Sequence, residues 1–251
     1  MKPAEYEAMY RVEETHWWYC ALHQLLFDNL DRELPDWRDK KLLDAGCGTG
    51  AILKRLGRPD RNIGVDIAPE ALSFCRKRGL ENVQQADISA LPFPTDTFDA
   101  VICSSVLYHQ WVGDVNTALA ELRRVLRPAG LLFLILPAFR FLHSAHDEAV
   151  LTARRFARPE VRKLLRQNDF DVQRLTYWTT FLFPGAVLAR TLGASNSGRD
   201  FERDSSGMGH HFFTFVMAME RRVLQKISLP FGVALLAIAR KAGDGMMADE
   251  R

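Results

Sequence analysis

Apolar and aromatic residues recur at helical spacing over residues 4–34, and Pro35 closes that stretch. From Lys40 the rhythm changes. "KKLLDAG" fits a short buried strand and "GAILKRLG" a helix ended by Gly57. "RNIGVDI" repeats the strand, and "APEALSFCRKRG" the helix, with Pro69 in its first turn and Gly79 at its end. "ENVQQADI" predicts a third strand and "TFDAVICSS" a fourth. "DVNTALAELRRVLRPAG" predicts a helix stopped by Pro128 and Gly130. "LLFLILP" is apolar on both faces, as a central parallel strand is. Strands alternating with helices at this spacing predict an α/β fold with a parallel sheet.

After Pro137 the alternation loosens. Residues 138–157 read as an insertion with one helix. Then come a helix in "RPEVRKLLRQNDF", a strand in "DVQRLTYWTT" and an apolar helical stretch in "FLFPGAVLARTLG". The polar run "ASNSGRDFERDSSGMG" reads as a loop and a candidate lid hinge. "HHFFTFVMAMERRVLQKIS" reads as an amphipathic helix and "LPFGVALLAIARK" as a last strand. There is no internal repeat and no domain linker, so residues 1–251 read as a single domain.

Composition narrows the class. With 33 basic and 31 acidic residues the net charge is +2, which is no electrostatic footprint for nucleic acid. Cys20, Cys47, Cys75 and Cys103 lie far apart without a CxxC pair, which argues against a disulfide framework or a zinc site. The first residues carry acids and aromatics where a signal peptide has a basic start and an apolar run. The runs "LLFLILP" and "VALLAIA" fall short of the roughly 20 apolar residues of a membrane span. A cytoplasmic protein with no stable membrane insertion is expected.

The candidate chemistry begins at "KLLDAGCGTG". A glycine-rich turn between a first strand and a first helix lets backbone approach a ligand closely, and a helix start adds N–H donors. Gly46, Gly48 and Ala51 fit the dinucleotide pattern GxGxxA. The same loop also suits a tight turn with no ligand. Asp66, in "GVDI", lies 22 residues after Asp44, where a carboxylate accepts both hydroxyls of a ribose. Asp87, in "QQADI", ends the third predicted strand. Each aspartate alone reads equally as a strand-end cap. Together they sit at the carboxyl ends of neighbouring strands, where open α/β sheets bind ligands.

"LLDAGCGTG", "GVDIAPEAL", "QADISALPFPTDTFDAV" and "ELRRVLRPAGLLFLILP", in that order, resemble class I S-adenosylmethionine-dependent methyltransferases, most of all the bacterial small-molecule group of type 11. The resemblance covers residues 41–137 closely and the tail loosely. It implies a Rossmann-like, doubly wound, seven-stranded sheet whose last strand is antiparallel, with a helical insertion before that strand. It divides the chain into an N-terminal helical cap (1–36), a cofactor-binding core (37–137) and substrate-side helices with the C-terminal strands (138–251). It implies that Gly46, Cys47 and Gly48 pass the methionine part of S-adenosylmethionine, with Asp44 holding the loop. Asp66 would bind the ribose hydroxyls, Ile67 would pack on the adenine, and Asp87 would accept from the adenine amino group beside Ile88. Ser104 would lie near the methionine end. S-adenosylhomocysteine would be the product, and no metal is expected. A nicotinamide dehydrogenase explains the glycine loop and Asp66 but not "ADISALPFPTDTFDAV".

On the acceptor side, His109 in "SSVLYHQW" follows the fourth strand, where related enzymes face the substrate, and an imidazole suits a general base at neutral pH. Its other reading is a structural hydrogen-bonding residue. Tyr108 is a candidate pocket residue that otherwise packs. His143 and His146, three apart on an expected helix, line the pocket, face solvent, or hold a metal if Asp147 or a distant histidine supplies a third ligand. His210 and His211 read as surface residues. In "EETHWWYCALHQLL", Trp17, Trp18 and Tyr19 either line the site or pack in the core. Cys20, Leu22 and His23 stand where related enzymes carry arginines for the cofactor carboxylate. The apolar helices near 181–193 and 211–228 would roof an acceptor pocket, form a dimer interface or touch a membrane. Arg158, Arg162 and Arg166 mark one helix face, solvated or facing an acidic substrate.

The expected function is methyl transfer from S-adenosylmethionine to an oxygen, nitrogen or carbon of a small, fairly apolar acceptor in bacterial specialised metabolism, by a monomer or homodimer. The alternatives are a non-catalytic cofactor-binding module acting with a partner, and a nucleic-acid methyltransferase. Neutral charge and the absence of an Asn/Asp-Pro-Pro-aromatic motif in "CSSVLYH" oppose the latter.

Overall fold

The computed structural model describes residues 1–191 and 207–243. Seven strands form one sheet: β1 (Leu42–Ala45), β2 (Ile63–Asp66), β3 (Val83–Gln85), β4 (Phe98–Ser104), β5 (Leu126–Pro137), β6 (Phe170–Trp178) and β7 (Ala234–Lys241). Their spatial order is β3-β2-β1-β4-β5-β7-β6. β7 runs antiparallel to both β5 and β6, and the other pairings are parallel. The Rossmann-like sheet with an antiparallel last strand is therefore present.

The helices are α1 (Pro3–Val12), α2 (Trp17–Glu33), α3 (Ala51–Leu56), α4 (Pro69–Lys77), α5 (Val115–Val125), α6 (Ala145–Ala149), α7 (Arg158–Gln167), α8 (Phe183–Thr191) and α9 (Met208–Leu224). The central strands feed two cores. On β5, Leu132, Leu134 and Leu136 face a layer with α5 and α7, while Leu131, Phe133 and Ile135 face a layer with α2, α3 and α9. All six are at most 2% exposed, which explains why the strand reads as a continuous apolar run.

Three expectations are corrected. The periodic stretch 4–34 is two helices: the chain breaks at Glu13–His16, where the His16 Nδ1 accepts from the Trp18 amide (3.2 Å) and caps α2. The strand expected in "ENVQQADI" ends at Gln85, because Asp87 turns the chain by accepting from the Ser89 amide (2.8 Å). α5 stops at Val125, before Pro128, because Leu126 is extended, fully buried and paired with Phe98. The hinge expected in "ASNSGRDFERDSSGMG" lies largely outside the described residues. No described helix is long and apolar enough to cross a membrane.

From β1 the chain winds outward through β2 and β3, then restarts on the other side at β4. The switch point therefore falls between β1 and β4, at their carboxyl ends.

Candidate functional site

A cavity of about 280 Å³ opens at that switch point, walled by the glycine loop, the ends of β2 and β4, and the N-terminal helices. Gly46, Gly48 and Gly50 all have positive φ. At Gly46 the requirement is steric as well: a Cβ would meet Val106 Cγ2 at 2.2 Å, so the loop and the segment after β4 close on each other only without a side chain.

The loop amides are already engaged. Those of Gly46 and Cys47 both donate to the Val65 carbonyl (2.8 Å each), and that of Gly50 donates to the Cys47 carbonyl (2.9 Å). The Gly48 amide donates to Asp66 Oδ2 (2.9 Å), and Asp66 Oδ1 accepts from the Ala68 amide (2.9 Å). Asp66 thus ties the loop to the end of β2 while lining the cavity; burial pushes its carboxyl above the usual range.

Asp44 is 1% exposed and lines the same cavity, and its Oδ2 has no hydrogen-bond partner. Burial, reinforced by Asp66 and Glu13, pushes its carboxyl up to about 8. Asp87, exposed and two residues beyond β3, lines the cavity beside the buried Ile88. Ile67 is 42% exposed, available as an apolar surface. Ser104 lines the cavity from the end of β4.

Glu13, in the break between α1 and α2, is a cavity residue that sequence reasoning missed. It meets Arg78 Nη2 at 2.5 Å and accepts from the Thr49 hydroxyl, and Arg78 Nε donates to the Thr49 carbonyl (2.9 Å). Arg78 thereby latches the N-terminal helices to the glycine loop. Burial pushes Glu13 up to about 7, outweighing the Thr49 and Arg78 hydrogen bonds that hold it down. The only sequence signal is the adjacent acids Glu13 and Glu14 within a stretch that reads as continuously helical.

At the other end of the cavity stand Tyr108, His109, Trp111, Val150, Asp147 and Arg155. Burial pushes His109 down to about 4, and its Nδ1 is buried without a partner. Trp18 and Tyr19 reach the lining, as do Leu22 and His23, but Cys20 does not. Burial also pushes His23 down to about 4, so α2 presents a neutral imidazole to the cavity.

Two expected pocket residues lie elsewhere. Trp17 points away and stacks on Phe213 of α9 (centroids 4.9 Å apart). His143 precedes α6, is exposed and does not reach the cavity, because the helix begins only at Ala145. No described residue of α8 or α9 lines the cavity; Phe181, Phe212 and Phe215 stand exposed on and beside them. Arg158, Arg162 and Arg166 border a separate shallow hollow on α7. Among the described residues no three side chains group as metal ligands.

Residues 43–134 match the family described as "Methyltransferase domain". The chain is similar to a fatty-acid O-methyltransferase of Mycolicibacterium smegmatis, 41% identical over 104 residues that cover 38% of this chain and 36% of that one. It is also similar to a malonyl-[acyl-carrier protein] O-methyltransferase of Serratia marcescens, 42% identical over 95 residues that cover 37% and 36%. The chain thus spans about a third of the length of these two relatives. Among solved structures, a SAM-dependent methyltransferase of Thermotoga maritima superposes with a TM-score of 0.57 at 20% identity, covering 95% of each chain. That likeness concerns the fold.

Proposed function

We propose that the protein, whose residues 43–134 match the methyltransferase-domain family, transfers a methyl group from S-adenosylmethionine to an oxygen, nitrogen or carbon of a small, fairly apolar acceptor. The observation that carries this reading is the acidic lining around the glycine loop. Asp44, Asp66, Asp87 and Glu13 surround it, and among the described residues no lysine or arginine lines that end of the cavity. A pyrophosphate would meet four carboxyl groups there in place of basic side chains and would find the amides of Gly46, Cys47 and Gly48 already engaged. A ligand with ribose hydroxyls, an ammonium and a sulfonium meets complementary charge instead.

In this reading Asp66 accepts from the ribose hydroxyls while it holds Gly48. Asp87 and Ile88 frame the adenine with Ile67, and the glycine loop and Ser104 border the methionine part. Asp44, whose Oδ2 has no partner, faces the ammonium. When bound, the cofactor supplies a methyl on a sulfonium, an electrophile that needs an aligned nucleophile more than it needs activation. Tyr108, Trp18 and Tyr19 would shape the acceptor end. His109 would take a proton from acceptors that have one to lose, although an imidazole held near 4 is a weak base at neutral pH.

The test is calorimetric titration at pH 7 with S-adenosylmethionine, S-adenosylhomocysteine and NAD(H), in two buffers of different ionisation enthalpy. Both adenosyl ligands are expected to bind in the micromolar range. Binding should release protons, because burial raises Asp44 to about 8 and Glu13 to about 7, and the ligand's ammonium would favour their ionised forms. A preference for NAD(H), or proton uptake on binding, would refute the assignment.

A further inference from the structure

Among the described residues Arg155 is the only arginine or lysine that lines the cavity, and it is 6% exposed. It lies within an irregular segment held between two parts of the site. The Ala153 amide donates to the Tyr108 carbonyl (2.8 Å), and the Gln110 amide donates to the Leu151 carbonyl (3.1 Å). The Phe156 amide donates to the Pro137 carbonyl at the end of β5 (2.9 Å). The guanidinium itself is clamped. Its Nε and Nη2 donate to Asp147 Oδ1 and Oδ2 (2.9 Å each), and its Nη1 donates to the Ala138 carbonyl (2.8 Å). Asp147 is fixed in turn by the Ser144 amide (2.9 Å) and hydroxyl (3.1 Å).

A guanidinium has five N–H donors. Three are accounted for, and the other two, one on each terminal nitrogen, have no acceptor among the described residues. Buried donors are rarely left without a partner. A spare donor on each terminal nitrogen can serve the two oxygens of a carboxylate. The same lining also holds the apolar side chains of Val112, Val150, Leu136 and Trp111.

Resting on the methyltransferase reading, we propose that the acceptor is an apolar carboxylic acid, bound through its carboxylate to Arg155, and that the product is its methyl ester. The chemistry closes without a base. A carboxylate oxygen lone pair forms the new oxygen–carbon bond, the methyl–sulfur bond breaks, and its electron pair stays on sulfur as the neutral thioether. No proton moves, so the weak basicity of His109 is no obstacle. The opposite charges of carboxylate and sulfonium draw the reacting atoms together. Asp147 makes Arg155 a positioned donor pair rather than a free cation, which favours a planar carboxylate over a diffuse anion.

One other carboxylate has a claim on Arg155, that of the cofactor's own methionine. The experiment separates the two. Wild-type protein is first titrated with S-adenosylhomocysteine, and the resulting complex is titrated with octanoic and decanoic acids and with the amides and alcohols of the same chains. The acids are expected to bind at least about tenfold more tightly than the neutral analogues. Arg155→Lys keeps the charge but loses the fork; it should weaken acid binding about tenfold or more and leave S-adenosylhomocysteine affinity within about twofold. The double variant Asp147→Asn/Arg155→Gln removes both charges, so that no buried acid is left unpaired, and should abolish the preference for acids. Tritium transferred from S-adenosylmethionine to decanoic acid should be released by mild alkali, as from an ester. Equal binding of amides, or no binding of either acid to the complex, overturns the proposal. Loss of S-adenosylhomocysteine affinity in Arg155→Lys would place the cofactor's carboxylate on Arg155 and overturn it too. Failure of wild type to bind S-adenosylhomocysteine would instead sink the underlying methyltransferase reading.

Discussion

Asp66→Ala perturbs two things at once, and the structure says by how much. In the free protein the carboxylate accepts from the Gly48 and Ala68 amides at 2.9 Å each, at a site 8% exposed. Removing it leaves both donors unpaired, at about 1–2 kcal/mol each, so the free protein should lose roughly 2–4 kcal/mol. The ribose would lose a charged acceptor worth about 1.5–3 kcal/mol per hydrogen bond, so affinity for S-adenosylhomocysteine should fall on the order of 100-fold. Asp66→Asn keeps one acceptor oxygen and should lie between wild type and alanine in both measurements. Urea unfolding of the free protein reads the first effect, and calorimetric titration reads the second. If stability is unchanged while affinity collapses, Asp66 does not anchor the loop. If stability falls while affinity holds, it does not bind the ribose.

Gly46→Ala should destabilise by about 2–5 kcal/mol, combining a left-handed backbone with the overlap on Val106. Gly79→Ala, also at positive φ but with open space around it, should cost only about 1–2 kcal/mol. Adding Val106→Ala to Gly46→Ala should recover the steric part alone, and equal losses at Gly46 and Gly79 by urea unfolding would refute the close approach. His23, held near 4 in the folded protein against an ordinary 6.5, contributes stability that is present above pH 6.5 and is lost as pH falls towards 4. His23→Gln should flatten that acid-side decline by roughly 3 kcal/mol, and parallel stability–pH curves for the two proteins would show that the imidazole is not desolvated.

Much was legible in the chain itself. The apolar runs of β1, β4 and β5 announce strands buried on both faces, and their alternation with helices announces a parallel sheet, because side-chain period and connection length are local properties. The glycine loop, Asp44, Asp66 and Asp87 could be named because each sits at the end of a recognisable strand or just beyond one, and strand ends converge where the winding reverses. The break at Glu13–His16 was missed because the apolar spacing runs on across it; only the His16 cap separates α1 from α2. Trp17 and Trp18 are adjacent and chemically alike, yet helical geometry sends one towards Phe213 and the other into the cavity.

The rest belongs to the tertiary structure. Glu13 and Arg78 are 65 positions apart, and only the packing of α1 on α4 brings them to the Thr49 backbone. Arg155 and Asp147 occupy a segment with no repeating pattern, so nothing in the order of residues marks them as a clamped, donor-rich pair until the segment is held between β5 and the loop after β4. The protonation of Asp44, Glu13, His23 and His109 is likewise decided by burial. The sequence determines which groups can ionise and along which strands they travel; desolvation and the neighbours contributed by distant elements exist only once the chain has closed around them.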